Sequence, residues 1–442
     1  MTTKKSKIDL SSRFMFPGKL TVVRRKERYL AICSENGRWI VLDNNSQTVF
    51  LHLLETADLG EALKRFQGKY EDARKVVTQI VARQLDSMPS KRASTDGAIV
   101  MHLYLTNQCN MRCPHCYMLA GCKMENELKT EEIKVIMSNF KNYGGSLVTL
   151  SGGEVSLRDD LIEICQYAYS INLPLEILTN GLKWTDDMIR IIAPTLYRIQ
   201  VSIDGYDESE NKKIRGAGAF EKALSTVDRF VKANIRTDVA VTPVFSDDLH
   251  NHIDDYLTFA LSLEEKYKNG RFKIQFNGEI MDGREIKLTQ KQRDYYADFV
   301  HKLLSKKYGK DATDSAFIST MLTDTIKDNC NYGNLTIAAN GDVYMCAFIP
   351  TLKPVGNIRK DSFESLMTLS KAAKAASVVD RLTPCSTCEL KYICGGDCRI
   401  HHFPDIQDNH IGIKVQCARE CTPKVKEMFY DLMLRTNEAL FK

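Results

Sequence analysis

Three cysteines, Cys109, Cys113 and Cys116, sit in the run Thr106-Asn-Gln-Cys-Asn-Met-Arg-Cys-Pro-His-Cys-Tyr117, spaced C-x3-C-x2-C. The run follows an apolar stretch, residues 99–105, that reads as a strand. Three thiolates on one tight loop can hold three irons of a 4Fe–4S cube. Such clusters normally take four cysteine ligands, so the fourth iron is left open. An open coordination position separates a catalytic metal centre from a closed structural one. The loop therefore points to an enzyme and to a fold that holds it at a strand end. The competing reading is a zinc knuckle, but zinc sites usually show paired C-x2-C units or histidine partners.

Fourteen cysteines in 442 residues, with no secretory signal in the polar, basic start Met1 to Asp9, argue against a disulfide framework and for metal or cluster binding. Nine fall in two zones, 109–116 and 385–421, with Cys330 and Cys346 ahead of the second. Cys33, Cys122 and Cys165 lie apart and read as buried, small hydrophobes. No apolar run approaches the roughly 20 residues that span a bilayer, so the expected location is the cytoplasm, with no membrane partner. The net charge of +5 says little, although residues 1–30 carry nine Lys or Arg against Asp9 and Glu27.

A chain this long implies about two to four domains. Residues 20–23, 29–33 and 39–43 are short β-type runs, with a turn signal at Asn36-Gly37. Helical patterns follow over 47–55, 59–66 and 71–85, the last with Val76, Val77, Ile80, Val81 and Leu85 in one stripe. Residues 87–96 form a polar linker. From 98 to 310, strand-like runs at 99–105, 147–150, 175–178, 197–203, 237–244 and 272–276 alternate with helical patterns, the mark of parallel βα units. In a parallel barrel the chemistry sits at the carboxyl ends of the strands.

The cysteine loop in this setting resembles the radical S-adenosylmethionine (SAM) superfamily. The resemblance implies a partial (β/α)6 barrel, with SAM chelated to the open iron. Gly152-Gly153-Glu154, at the end of the second strand, resembles the motif that binds the SAM amino group; glycines let backbone approach a ligand closely. By the same resemblance Thr179, Asn180, Ser202 and Asp204 face SAM, and Arg215 pairs with its carboxylate. Asn277 to Glu279 stand at the sixth strand end and suit either substrate or SAM.

The order Cys330-x10-Gly341-x4-Cys346, then Cys385-x2-Cys388-x5-Cys394-x3-Cys398, then Cys417-x3-Cys421, resembles the SPASM domain. Residues 335–345 read as a hairpin turning at Asn340-Gly341. The resemblance implies two auxiliary 4Fe–4S clusters, three in all. Cys385, Cys388, Cys394 and Cys417 would close the distal one, and Cys330, Cys346 and Cys398 would hold the proximal one. No cysteine lies within 331–345, so the proximal cluster has an open iron unless Cys421 fills it. Zinc is the competing reading.

Three strands followed by three helices, ahead of such a core, look like the PqqD-like recognition element, a winged-helix-like α+β module that binds leader peptides by strand addition. The alternatives are a DNA-binding winged helix or a structural cap; mixed signs at Glu61, Lys64 and Arg65 disfavour nucleic acid. The expected domains are 1–95 for leader recognition, 96–315 for the barrel and 316–442 for the SPASM domain. The resemblance implies a radical SAM oxidoreductase that matures a ribosomally made precursor peptide through a 5′-deoxyadenosyl radical, with a flavodoxin or ferredoxin-type electron donor. A Cys-to-carbon thioether cross-link is the expected product. Carbon–carbon or ether cross-linking, formylglycine formation in a sulfatase, and a non-enzymatic redox-sensing adaptor are the alternatives.

Overall fold

A computed structural model describes residues 8–67, 69–88, 91–92, 99–309, 325–326, 330, 332–348, 352–396, 398–402, 415–416, 421 and 423–440. Cys417, both expected domain limits and most of the linker lie outside the described residues. The chain divides into two compact units. One gathers Met1–Thr95, Lys310–Cys330 and Ala376–Lys442, the other Asp96–Gly309 and Asn331–Ala375. Residues 331–375 thus share a unit with the barrel strands, whereas the sequence grouped them with the C-terminal segment.

In the first unit, β1 (Leu20–Arg25), β2 (Arg28–Cys33) and β3 (Arg38–Leu42) form an antiparallel sheet in that order. Helices α1 (Asn44–Thr56), α2 (Leu59–Phe66) and α3 (Tyr70–Arg83) follow. Asp43 caps α1 by accepting from Ser46 N at 2.8 Å, and Asp58 caps α2 by accepting from Glu61 N at 2.9 Å. Both faces of the sheet are covered. Ala31, Cys33, Ile40 and Leu42 pack with Phe50, Leu53, Val76 and Ile80. Their alternates Leu30, Ile32, Trp39 and Val41 pack with Leu390, Ile393, Tyr430 and Met433. The period-2 alternation of a strand therefore serves two cores at once.

The α3 stripe is narrower than its sequence suggested. Val76, Ile80 and Leu85 are buried, but Val81 is 63% exposed, because it follows Ile80 by a single residue and is turned about 100° off the core. The Gln79 side-chain amide donates to Val41 O at 2.5 Å and accepts from Val41 N at 2.9 Å. A side chain thus occupies the edge of β3 as a neighbouring strand would. A short strand, β4 (Lys91–Arg92), pairs with β11 (Thr325–Ile326).

In the second unit, β5 (Val100–Thr106), β6 (Leu147–Gly152), β7 (Leu175–Thr179), β8 (Arg198–Ile203), β9 (Thr237–Val241) and β10 (Phe272–Phe276) are parallel, in order β10-β9-β8-β7-β6-β5. Each step crosses over through helix: α4 (Thr130–Asn142), α5 (Leu161–Ser170), α6 (Asp186–Ile192), α7 (Glu208–Arg215) with α8 (Ala219–Lys232), and α9 (Ile253–Lys266). Helix α10 (Gln290–Tyr308) closes the series. Val201, Ile203, Val239, Val241 and Ile274 meet Tyr256, Phe259, Phe299 and Leu303 in one core.

The sheet continues beyond β5. Strand β12 (Thr336–Ile337) pairs parallel to it, then β13 (Asp342–Tyr344) and β14 (Gly356–Asn357) pair antiparallel. Gly341 turns the hairpin at φ +88°, where a side chain is strained. Arg359 pins it to the barrel, donating to Glu132 of α4 at 2.6 Å and to Asn340 O at 3.1 Å. At the amino ends of the strands, Arg198 bridges Glu176 and Asp238, the latter at 2.8 Å. Among the described residues no helix is long and apolar enough to cross a membrane.

Candidate functional site

The carboxyl ends of the six parallel strands surround a cavity of about 500 Å³. Cys109, Cys113 and Cys116 line it together with Gly152, Gly153, Thr179, Asn180, Ser202, Arg215 and Asn277 to Glu279. Residues scattered over 170 positions are thus brought to one place. Two that the sequence placed there, Glu154 and Asp204, do not line it.

The glycine pair lines the cavity and also lets two backbones meet. A Cβ on Gly152 would stand 2.4 Å from Thr106 O, and one on Gly153 would stand 2.1 Å from Gln108 O. What approaches so closely is the cysteine loop's own backbone. Gly153 N donates to Thr106 O and Glu154 N to Gln108 O, each at 2.8 Å. The glycines let the end of β6 clamp the loop.

Glu154 is fully buried and turned away from the cavity. Its Oε1 accepts from Ser156 N at 3.1 Å, Ser156 Oγ at 2.6 Å and Thr179 Oγ1 at 2.6 Å, and its Oε2 from Asn180 N at 2.7 Å. These bonds order the ends of β6 and β7. Asn180 then donates to Asn110 Oδ1 at 2.8 Å, tying β7 to the cysteine loop.

Asp204 is likewise buried behind the cavity wall. It receives Arg215 Nε at 2.6 Å and Nη2 at 3.2 Å, and stands 3.5 Å from His115 Nε2. Arg215, expected to await a carboxylate of SAM, is held by one from the chain. Burial works against its charge, and Asp204 with the Cys113 and Cys109 sulfurs upholds it. Burial lowers the pKa of His115, with Asp204 opposing and Arg215 adding to the effect. The same burial pushes the Cys113 thiol up to about 11 and raises that of Cys109. Ligation by iron deprotonates such thiols.

Several residues that shape the site carried no motif. Glu127, in the polar stretch after the loop, accepts from Thr106 Oγ1 at 3.0 Å, Asn107 N at 2.8 Å and Met124 N at 3.1 Å. The segment after β10 braces the loop from below, with Glu285 N donating to Pro114 O at 2.8 Å. Tyr117 stacks on Phe348 with ring centroids 5.2 Å apart, and Tyr104 donates to Ala347 O. Both Phe348 and Ala347 follow the β13 strand, which brings the neighbourhood of Cys346 to the cavity wall. Only knowledge of the β12–β5 pairing could have shown this.

In the first unit, Cys385, Cys388, Cys394 and Cys421 line a second cavity of about 400 Å³. The sequence had offered Cys421 to the proximal set and Cys417 to this one. Of the outlying cysteines, Cys33 and Cys165 are buried, as read from sequence, but Cys122 is exposed, because it lies in the turn-rich return of the cysteine loop.

The residues around the first cavity fit a cluster with SAM. Its volume lies in the range of small-molecule sites. One wall carries three thiols, and the others carry the Arg215 cation, the Glu279 carboxylate and neutral hydrogen-bonding groups, a mixture suited to an amino acid and a nucleoside. Among the described residues, no three Cys, His, Asp or Glu side chains converge closely enough for a single ion.

Residues 103–260 match the radical SAM superfamily, and residues 330–389 match the SPASM iron–sulfur cluster-binding domain. Mycofactocin maturase MftC of Mycolicibacterium smegmatis is 24% identical over 70% of this chain and 80% of its own. The sporulation killing factor maturation protein SkfB of Bacillus subtilis is 31% identical over 32% of this chain and 34% of its own. The solved structure of anSMEcpe with AdoMet and the Cp18Cys peptide superposes with a TM-score of 0.55 at 16% identity, covering 77% of this chain and 99% of that one. With the parallel sheet and the loop geometry, these similarities establish that the chain carries a radical SAM domain followed by a SPASM iron–sulfur-binding domain.

Proposed function

We propose that the protein is a maturase that modifies a ribosomally made precursor peptide, forming a Cys-to-carbon thioether cross-link. The observation that carries the reading is the single cavity shared by the Cys109–Cys116 loop and the polar strand ends. When bound, the cluster and SAM supply a hydrogen-abstracting carbon radical. The chain's own residues position and enclose that chemistry. Arg215, fixed by Asp204, sets a cation beside Cys113; Ser202, Asn180 and Gln200 offer neutral hydrogen bonds to a nucleoside; the 277–281 segment closes the wall on the open side.

The relatives named as maturases support a peptide substrate. The thioether reading rests on the absence of a cysteine within 331–345: unless a cysteine from elsewhere completes it, the set Cys330, Cys346 and Cys398 leaves an iron for a substrate sulfur. The three strands and three helices of residues 20–83 support leader recognition by strand addition. A peptide adding at β3 has to displace Gln79 from Val41. A flavodoxin or ferredoxin-type protein is the proposed electron donor.

The test is anaerobic turnover with SAM, dithionite and Cys-containing peptides encoded next to this gene. Production of 5′-deoxyadenosine with loss of two hydrogens from the peptide is the expected result. Absence of 5′-deoxyadenosine from iron-loaded protein, with and without peptide, sinks the enzymatic reading in favour of an adaptor. Turnover indifferent to removal of the leader favours a formylglycine-forming enzyme.

A further inference from the structure

The second cysteine cavity lies within one compact unit. Cys385 opens a 3-10 turn, Cys388 follows it, and Cys394 ends the short helix Lys391–Cys394. Backbone bonds hold these three in place: Cys388 N donates to Cys385 O at 3.0 Å, and Cys394 N to Leu390 O at 2.8 Å. The opposite wall is the start of helix Pro423–Leu440, through Val425, Lys426 and Phe429. Cys421 stands two residues before that helix and lines the same cavity.

The helix start is locked to the cysteine turn. Lys426 Nζ donates to both carboxylate oxygens of Glu389, at 2.9 Å and 3.1 Å, and Tyr430 donates to the same group. Glu389 adjoins Cys388, so this junction fixes where Cys421 enters the cavity. It also sets the Lys426 ammonium beside the sulfurs, where it offsets part of the negative charge of bound thiolates.

We infer that Cys421 is the fourth thiolate of the cluster held by Cys385, Cys388 and Cys394. The inference rests on the SPASM reading of this array as cluster-binding. The four cysteines line one cavity of about 400 Å³, and four thiolates are the usual ligand set of a 4Fe–4S cluster. The step is ligand binding, in which Cys421 gives up its proton and no electron moves. A consequence is that Cys421 is not available to complete the set of Cys330, Cys346 and Cys398.

The experiment uses the full chain carrying Cys109→Ala, Cys113→Ala and Cys116→Ala, so that only auxiliary clusters remain. Iron, sulfide and the EPR spectrum after dithionite reduction are measured in this parent and after adding Cys421→Ala or Cys417→Ala. Circular dichroism checks that each variant is folded. A parent with about eight irons has two auxiliary clusters, and that count judges the SPASM reading separately. Loss of about four irons, or of one reduced-cluster EPR signal, with Cys421→Ala but not with Cys417→Ala is the expected result. Loss confined to Cys417→Ala, or equal loss in both, overturns the assignment of Cys421. A parent without iron overturns it together with the cluster reading.

Discussion

The two ends of the parallel barrel hold nearly the same ionic motif and use it differently. At the amino ends, Arg198 bridges Glu176 and Asp238, one carboxylate on each side. At the carboxyl ends, Arg215 is gripped by Asp204 with His115 alongside, and its other side faces a cavity of about 500 Å³. The amino-end bridge is closed on both sides by the protein's own carboxylates. The carboxyl-end pair leaves half of the guanidinium's surroundings to thiols and to whatever fills the cavity. A buried ion pair by itself therefore says little about function; what matters is whether one of its faces is left to a ligand.

The strongest test of the open end is removal of a thiol. Cys113→Ala should abolish iron loading at the first site and with it SAM cleavage, while iron content falls by about four per chain. If loading survives, the cavity is not the cluster site. The two arginines should then separate cleanly. Arg198→Ala leaves the buried Glu176 without its guanidinium and Asp238 with Arg236 at 3.5 Å, and should cost about 3 kcal/mol in urea denaturation, with SAM affinity nearly unchanged. Arg215→Ala should weaken SAM binding by equilibrium dialysis at least about tenfold, about 1.4 kcal/mol, and also lower stability, because it leaves the buried Asp204 carboxylate without its guanidinium. Equal behaviour of the two variants would erase the distinction between the ends.

Glu154 sharpens the comparison, because it lies at the open end yet its hydrogen bonds come from within the chain. Glu154→Gln keeps the volume but turns acceptors into donors facing donors. It should lower stability by about 1–3 kcal/mol and disorder the loop, seen as faster amide exchange at Cys109 to Cys116. A loss of SAM affinity with no change in stability or exchange would instead place the carboxylate on the ligand.

The smallest effect belongs to the hairpin seam. Hydrogen bonding from Arg359 holds the Glu132 carboxyl at about 2, against 4.5 ordinarily. A carboxyl lowered in the folded state adds stability above its ordinary value and loses it as pH falls. Stability should therefore drop between about pH 4.5 and pH 2 in the native protein, and Arg359→Ala should flatten that part of the profile. Urea titrations across this range give the slope. An unchanged slope would mean that the seam contributes nothing.

Much of this was legible in the sequence, and the reason is local. The spacing of Cys109, Cys113 and Cys116 after an apolar run, and the alternation of β-type and helical periods from 99 to 276, are short-range patterns tied to backbone geometry. They yield the parallel strands, the loop and the Gly341 turn. Long-range packing added what the sequence did not show. Gly152 and Gly153 read as room for a ligand; they line the cavity, and the place a Cβ would take is filled by the backbone of Thr106 and Gln108. Glu154 and Asp204 read as ligand-facing, but neighbours distant in sequence supply their partners, Thr179 for one and Arg215 for the other. Val81 fitted an apolar stripe but is turned about 100° from the buried Ile80.

By itself the sequence determined which chemistries are present and at which strand ends, because ligand type and spacing are properties of neighbouring residues. Tertiary structure decided which side chains face the cavity and which are spent holding it. It also decided that the hairpin carrying Cys346 joins the barrel sheet through β12, and that Cys421 lines the same cavity as Cys385, Cys388 and Cys394. Such facts depend on the pairing of segments far apart in the chain. That pairing is set by the burial of whole faces rather than by any residue's immediate neighbours.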